Sequence, residues 1–197
     1  MNYSAEEPSQ QANAPIRCPW CNIDNPLYVA YHDHEWGKPV HNDHQLFEML
    51  ILEGFQAGLS WECILNKRQA FRMAFDNFDY TKIAQYNNHK LEELLRNKDI
   101  VRNRLKIAAA VTNAKVFIKI QAEYGTFDRY LWHFTDFTTV YEYDRTTSPL
   151  SDTISHDLKR RGMRFVGTTI IYSYLQAIGI INSHTPTCFL STNTPHP

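Results

Sequence analysis

Past Pro26 the apolar residues recur three and four positions apart along almost the whole chain, and no alternating run long enough for a useful strand interrupts them. That period belongs to helices packed on one side, so an all-α fold is expected. Short polar residues mark the helix starts. Asp43 precedes LFEMLILEGFQAG, Ser60 precedes WECILNKRQAFRMAF and Asp79 precedes YTKIAQY, each offering an oxygen to the open N–H groups of a first turn. KLEELLR then leads into the turn NKDIVRN. From Arg104 a longer helix is predicted through KIAAAVTNAKVFIKIQAEY, with Leu105, Ala109, Thr112, Val116 and Ile120 as the stripe to be covered and Gly125 as its stop. FDRYLWHF, SDTISHDLKRR ending at Gly162 and TTIIYSYLQAI ending at Gly179 supply the cover, and 135–149 reads as a long loop.

A chain of 197 residues fills one core, which sets a single helical domain over 17–188 between disordered tails at 1–16 and 189–197. The apolar share of 43% suits a globular protein, and a formal charge of −1 excludes a uniformly basic nucleic-acid binder, so any DNA contact must be local. The opening MNYSAEEPSQQANAPIR has no apolar stretch with a cleavage site, and no apolar run is long enough to span a membrane. A cytosolic protein, or a nuclear one in a cell that has a nucleus, is expected, with a monomer as the default. The four cysteines, Cys18, Cys21, Cys63 and Cys188, are then better read as thiols for metal than as disulfides.

Cys18 and Cys21, with His32 and His34 a little later, face a His184-x-x-x-Cys188 pair near the other end of the chain. Thiolate and imidazole at such spacing suit one tetrahedral zinc. Two ligand sets stay open, one with Cys21 and one with His32. Either joins the chain ends, a structural role expected to lie far from any substrate pocket, because four protein ligands leave zinc no open position. A redox dithiol at Cys-Pro-Trp-Cys lacks the βαβ setting such motifs need. His34, His41 and His44 read as surface histidines.

A second feature is a carboxylate in the wrong company. Leu46, Leu50, Glu53 and Ala57 share one helix face, so Glu53 lies on a stripe that should be buried. Such a group must be protonated, paired with an arginine at the stripe's edge, or waiting for a cationic or donor-rich ligand. Tyr28, Tyr31, Trp36 and Trp61 fall in the same region; they are either plain core or flat walls for a flat cation. Finally, Arg96, Lys98, Arg102, Arg104 and Lys106 crowd one turn between two helices, and Lys159, Arg160, Arg161 and Arg164 form a second basic run. Each is a solvated surface or a place for phosphate oxygens.

The strings PLYVAYHDHEWG, LFEMLILEGFQAGLSW, DIVRNRLKIAAAVTNA and RGMRFVGTTIIYSYLQAIGIINSH, in that order, resemble the DNA-3-methyladenine glycosylase I family over nearly all of 17–188. The resemblance implies a helix-hairpin-helix glycosylase fold and hydrolysis of the N-glycosidic bond of 3-methyladenine in alkylated double-stranded DNA, with the free base as product, in a bacterial cytoplasm. It implies one structural Zn2+ on Cys18, His32, His184 and Cys188, which selects His32 over Cys21. It also implies a base pocket in which Glu53 is both the catalytic and a base-binding residue, with Tyr31, Trp36 and Trp61 around it, and a hairpin whose Lys98, Arg102, Asn103 and Arg104 meet the DNA backbone. The two competing classes are a lesion-binding module of the same fold without catalysis and a thiol redox protein.

Overall fold

A computed structural model describes residues 15–191. Nine α-helices run along that stretch: α1 (Pro26–His34), α2 (Asp43–Gln56), α3 (Trp61–Ala74), α4 (Tyr80–Ile83), α5 (Asn88–Arg96), α6 (Arg104–Tyr124), α7 (Phe127–Trp132), α8 (Pro149–Arg160) and α9 (Thr168–Ala177). The expected helical class holds, with one addition. Residues Val140–Tyr141 (β1) pair in parallel with Ile181–Asn182 (β2), a ladder too short for any alternating pattern to announce it.

The caps explain most boundaries. Ser60 accepts from the N–H of Cys63, Asp79 from those of Thr81 and Lys82, and Asn103 from those of Leu105 and Lys106. Gly125, at φ 87°, ends α6. One expected cap is corrected: Asn42, not Asp43, caps α2, and the Asp43 carboxylate instead accepts from the N–H groups of Phe127 and Asp128, tying the start of α7 to α2 across the core.

Helix α2 is the axis of the molecule. Every residue from Leu46 to Phe55 is buried, because α3, α6, α7 and α9 surround it. The stripe expected on α6 holds at Ala109, Val116 and Ile120, which are buried, while Thr112 is half-buried and Leu105 is 69% exposed. Ile107, Ala110, Ala114 and Phe117 face the core as well, since the neighbours lie along that side. Lys106 is buried too; its ammonium donates to the carbonyls of Phe55 (2.8 Å) and Ala57 (2.5 Å), satisfying the open end of α2. It is therefore not part of the basic surface the sequence suggested.

The two ends of the described stretch meet. The N–H of Phe189 donates to the carbonyl of Ile16 at 2.8 Å, and Arg17 lies over the Phe189 ring. The rest of the two expected tails, 1–14 and 192–197, falls outside the described residues. No helix of the described chain is long and apolar enough to cross a membrane.

Candidate active site and candidate metal centre

The last turn of α2 carries Glu53 inward, and the end of α1, the start of α3 and one face of α9 close around it. The result is a cavity of about 450 Å³ lined by Tyr28, Tyr31, Trp36, Glu53 and Trp61, with Ser173 and Gln176 from α9 on another wall. All the aromatics singled out in the sequence thus come together. The Tyr31 and Trp61 rings stand 5.1 Å apart at a 46° tilt. The Trp61 indole N–H is buried without a hydrogen-bond acceptor among the described residues.

Two glutamates on α2 show what burial demands. Glu48 is 4% exposed and is held by Arg68 at 2.6 Å and Arg72 at 2.8 Å. Glu53 is 3% exposed, its Oε2 has no hydrogen-bond partner, and no ion pair involves it among the described residues. The edge-pairing alternative belongs to Glu48, one and a half turns away. With nothing to offset lost hydration, burial alone raises the Glu53 carboxyl to about 8, which favours the neutral acid at pH 7.

The sequence reading missed Trp20, which it had assigned to the thiol string Cys-Pro-Trp-Cys. Its ring packs on Trp36 at 4.7 Å and on Tyr28 at 5.5 Å, adding another wall to the cavity. Ser173 and Gln176 were legible in principle, as polar residues three apart on the otherwise apolar α9. Asp144, Arg145 and Thr146, from the loop after β1, had no local signal at all.

Behind the aromatic wall lies the Cys/His cluster. The ligand atoms of Cys18, His32, His184 and Cys188 lie within 4.8 Å of one another, and all four residues are buried. Cys18 Sγ is 3.5 Å from His184 Nδ1, and Cys188 Sγ is 3.5 Å from His32 Nε2 and 3.6 Å from His184 Nδ1. A tetrahedral zinc with ordinary Zn–S and Zn–N bonds needs edges of roughly 3.6 Å, so this donor set fits the ion. Cys21 is elsewhere, its Sγ 3.9 Å from the carbonyl of Tyr28. Burial raises the Cys18 thiol to about 11 and lowers His184 to about 4, so a metal bound here would displace the Cys18 thiol proton. Asp33 accepts from His32 Nδ1 at 2.7 Å and is gripped by Arg17 at 2.6 Å, which orients the imidazole so that Nε2 points at the thiols. The Arg17 hydrogen bond, ahead of that from His32, holds the Asp33 carboxyl down to about 2.

The cluster is not remote from the cavity, contrary to the sequence reading. Trp36 packs edge-on against His184, and Thr185 lines the cavity itself. Lys98, Arg102, Asn103 and Arg104 lie apart from both, on the exposed turn before α6. There the Asn103 amide oxygen is engaged in capping, and Arg104 pairs with Glu92 at 2.8 Å. In the second basic run Arg160 and Arg161 are tied to Asp157.

A mostly helical scaffold surrounds a cavity walled by indole and phenol rings and carrying an unpaired carboxyl group, the setting of a base-binding glycosylase. The chain belongs to the methyladenine glycosylase family, whose model matches residues 20–191. It is 43% identical to DNA-3-methyladenine glycosylase 1 of Escherichia coli strain K12 over 179 residues, covering 87% of this chain and 95% of that one. A crystal structure of 3-methyladenine DNA glycosylase I superposes with a TM-score of 0.85 at 41% identity, covering 92% of this chain and 100% of its own. A variant of 3-methyladenine DNA glycosylase I in complex with 3-methyladenine gives a TM-score of 0.81 at 34% identity, covering 83% and 91%. The resemblance found in the four sequence strings is therefore borne out.

Proposed function

We propose that this chain is a DNA repair glycosylase that hydrolyses the N-glycosidic bond of 3-methyladenine in alkylated double-stranded DNA and releases the free base. The observation that carries the reading is Glu53, a buried acid with no partner at the end of an aromatic cavity. A methylated adenine linked to deoxyribose is positively charged, which weakens its bond to the sugar. Swung out of the duplex, it enters between the rings of Tyr31, Trp36 and Trp61, where stacking and cation–π attraction act together. Glu53 gives up its proton to solvent water as the cation arrives, and the carboxylate then accepts hydrogen bonds from the base edge. Neutral adenine offers no charge to offset ionising a buried acid, so selectivity follows from the same group.

Cys18, His32, His184 and Cys188 would hold one Zn2+ in a structural role, since four protein ligands leave the ion no position for water. Its contribution is to fasten the two chain ends behind the aromatic wall. For the DNA backbone, exposed Lys98 and Arg102 offer unpaired charge beside Asn103 and Arg104 on the turn before α6. A second phosphate contact is proposed at the turn 161–167. Helix α9 starts without a side-chain cap, which leaves its first N–H groups open, Lys159 and Arg164 are exposed nearby, and Phe165 lies against Gly54 next to Glu53.

The deciding experiment is chromatographic detection of free 3-methyladenine released from methylated duplex DNA. Wild type releases it, and Glu53→Gln, which keeps shape and removes charge, releases it roughly a hundredfold more slowly. A Glu53→Gln rate equal to wild type would remove Glu53 from the reaction, and no release by wild type would leave a lesion-binding module.

A further inference from the structure

The cavity accounts for a base but not for what a nucleotide brings with it. A nucleotide swung into the cavity arrives joined to two phosphodiesters, and these stay at the mouth while the base enters. The cavity is correspondingly polar along its depth. The buried carboxyl of Glu53 is at one extreme and exposed Arg145, the one cation among its lining residues, is at the rim. From this arrangement we infer that Arg145 is a phosphate-binding residue, engaging a phosphodiester that flanks the extruded nucleotide. The inference rests on the base reading proposed above.

Several observations on the loop 142–147 support it. The loop is held at both ends: the N–H of Glu142 donates to the carbonyl of Asn182 at 3.2 Å, extending the β1–β2 ladder, and buried Ser148 forms a reciprocal capping box with Ser151 at the start of α8. Between these anchors Asp144 adopts a left-handed φ of 51°, which turns the chain sharply just before Arg145. Arg145 is thus presented from a short, pinned loop, and less conformational freedom is lost on binding than from a long mobile one.

Nor is the guanidinium already occupied. It makes no hydrogen bond or ion pair with any described residue, and its neighbour Asp144 does not pair with it. This sets it apart from Arg17, Arg68, Arg72, Arg104, Arg160 and Arg161, which all hold carboxylates. An arginine left free at the mouth of a cavity offers a planar fork that matches the two non-bridging oxygens of a phosphodiester. The ligand implied is cationic at its base, which meets Glu53, and anionic at its backbone, which meets Arg145 at a rim that also carries the exposed Asp144.

The test compares Arg145→Ala and Arg145→Lys with wild type on two ligands: methylated duplex DNA, and free 3-methyladenine followed by quenching of tryptophan fluorescence. For Arg145→Ala the expected result is a rise of about tenfold in the half-saturating DNA concentration with little change in the single-turnover rate at saturation. The slope of log affinity against log salt should become shallower by about 0.9, the value for one lost phosphate contact. Affinity for the free base should change by less than about twofold, because it carries no phosphate. Arg145→Lys should restore the salt slope and only part of the affinity, having the charge without the fork. A wild-type slope and half-saturation in Arg145→Ala would overturn the inference, as would an equal loss for free base and for DNA. If wild type bound DNA but neither bound nor released 3-methyladenine, the base reading would fail. A slope change in Arg145→Ala would then still establish the phosphate contact.

Discussion

The indole of Trp36 meets the ring of His184 edge-on, with centroids 4.6 Å apart and planes at 89°. One ring lines the base cavity and the other belongs to the Cys/His cluster, so the two features share a wall. Trp20 strengthens the joint, packing on Trp36 at 4.7 Å and on His32 at 5.2 Å. Gly37 sits at the same place with φ +74°, and a Cβ there would come within 2.9 Å of His184 Nε2. The close approach of α1's end to the C-terminal segment is therefore built into the backbone.

The shared wall predicts that metal and base are coupled. Stripping metal with a chelator, or replacing Cys188 by Ala, should lower stability by more than about 2 kcal/mol, a fraction of the roughly 10 kcal/mol that structural zinc supplies in small domains. It should also weaken binding of free 3-methyladenine several-fold as Trp36 and Trp20 lose their backing. Elemental analysis, thermal melts and fluorescence titration check this. Unchanged base affinity in a metal-free, destabilised protein would show the wall to be rigid by itself.

Glu53 predicts an unusual pH dependence. Its folded carboxyl ionises near 8, above the ordinary value of 4.5, so between these pH values the folded state holds a proton that the unfolded state releases. Stability should therefore fall as pH rises through that window, by about 1.4 kcal/mol per pH unit from this group alone, and level off above 8. Glu53→Gln should lose this slope and exceed wild type in stability at pH 8, while matching it more closely at pH 5. Binding of the cationic nucleotide runs the other way: it requires the carboxylate, so affinity should climb toward pH 8 in wild type and stay flat in Glu53→Gln. Denaturant melts and DNA titrations across pH 5–8.5 measure both, and parallel profiles for the two proteins would refute the assignment.

Lys106 predicts a structural route to the same site. Its ammonium closes the C-terminal turn of α2, where Glu53 and Gln56 sit. Lys106→Met keeps the stem but leaves the carbonyls of Phe55 and Ala57 without that donor, which should cost about 1–3 kcal/mol. If the turn loosens as expected, 3-methyladenine affinity drops along with the melting temperature. A fall in melting temperature with base binding intact would confine Lys106 to stability.

How much of this was legible beforehand depended on range. Ser60, Asp79 and Gly125 announced helix ends correctly, because a cap acts on N–H or C=O groups two to four residues away and needs nothing else. The burial of Glu53 was legible for the same reason, since helical spacing alone puts it in line with Leu46 and Leu50. Asp43 misled because its true partners, Phe127 and Asp128, lie far along the chain. Leu105 misled because α6 has apolar residues on more than one side, and only the position of its neighbours chooses among them.

The amino-acid sequence by itself determined a mostly helical chain, most of its caps, and the set of acids, rings and thiols available for chemistry. Tertiary packing decided that Glu48 and not Glu53 receives the arginines, that Cys21 stands outside the thiol–imidazole cluster, and that Trp20, Trp36 and His184 form one wall. Local order is set by hydrogen bonds between residues a turn apart. Which side chains meet across a cavity is set by how whole helices pack around α2, a property of the assembled core that no single stretch of the chain carries.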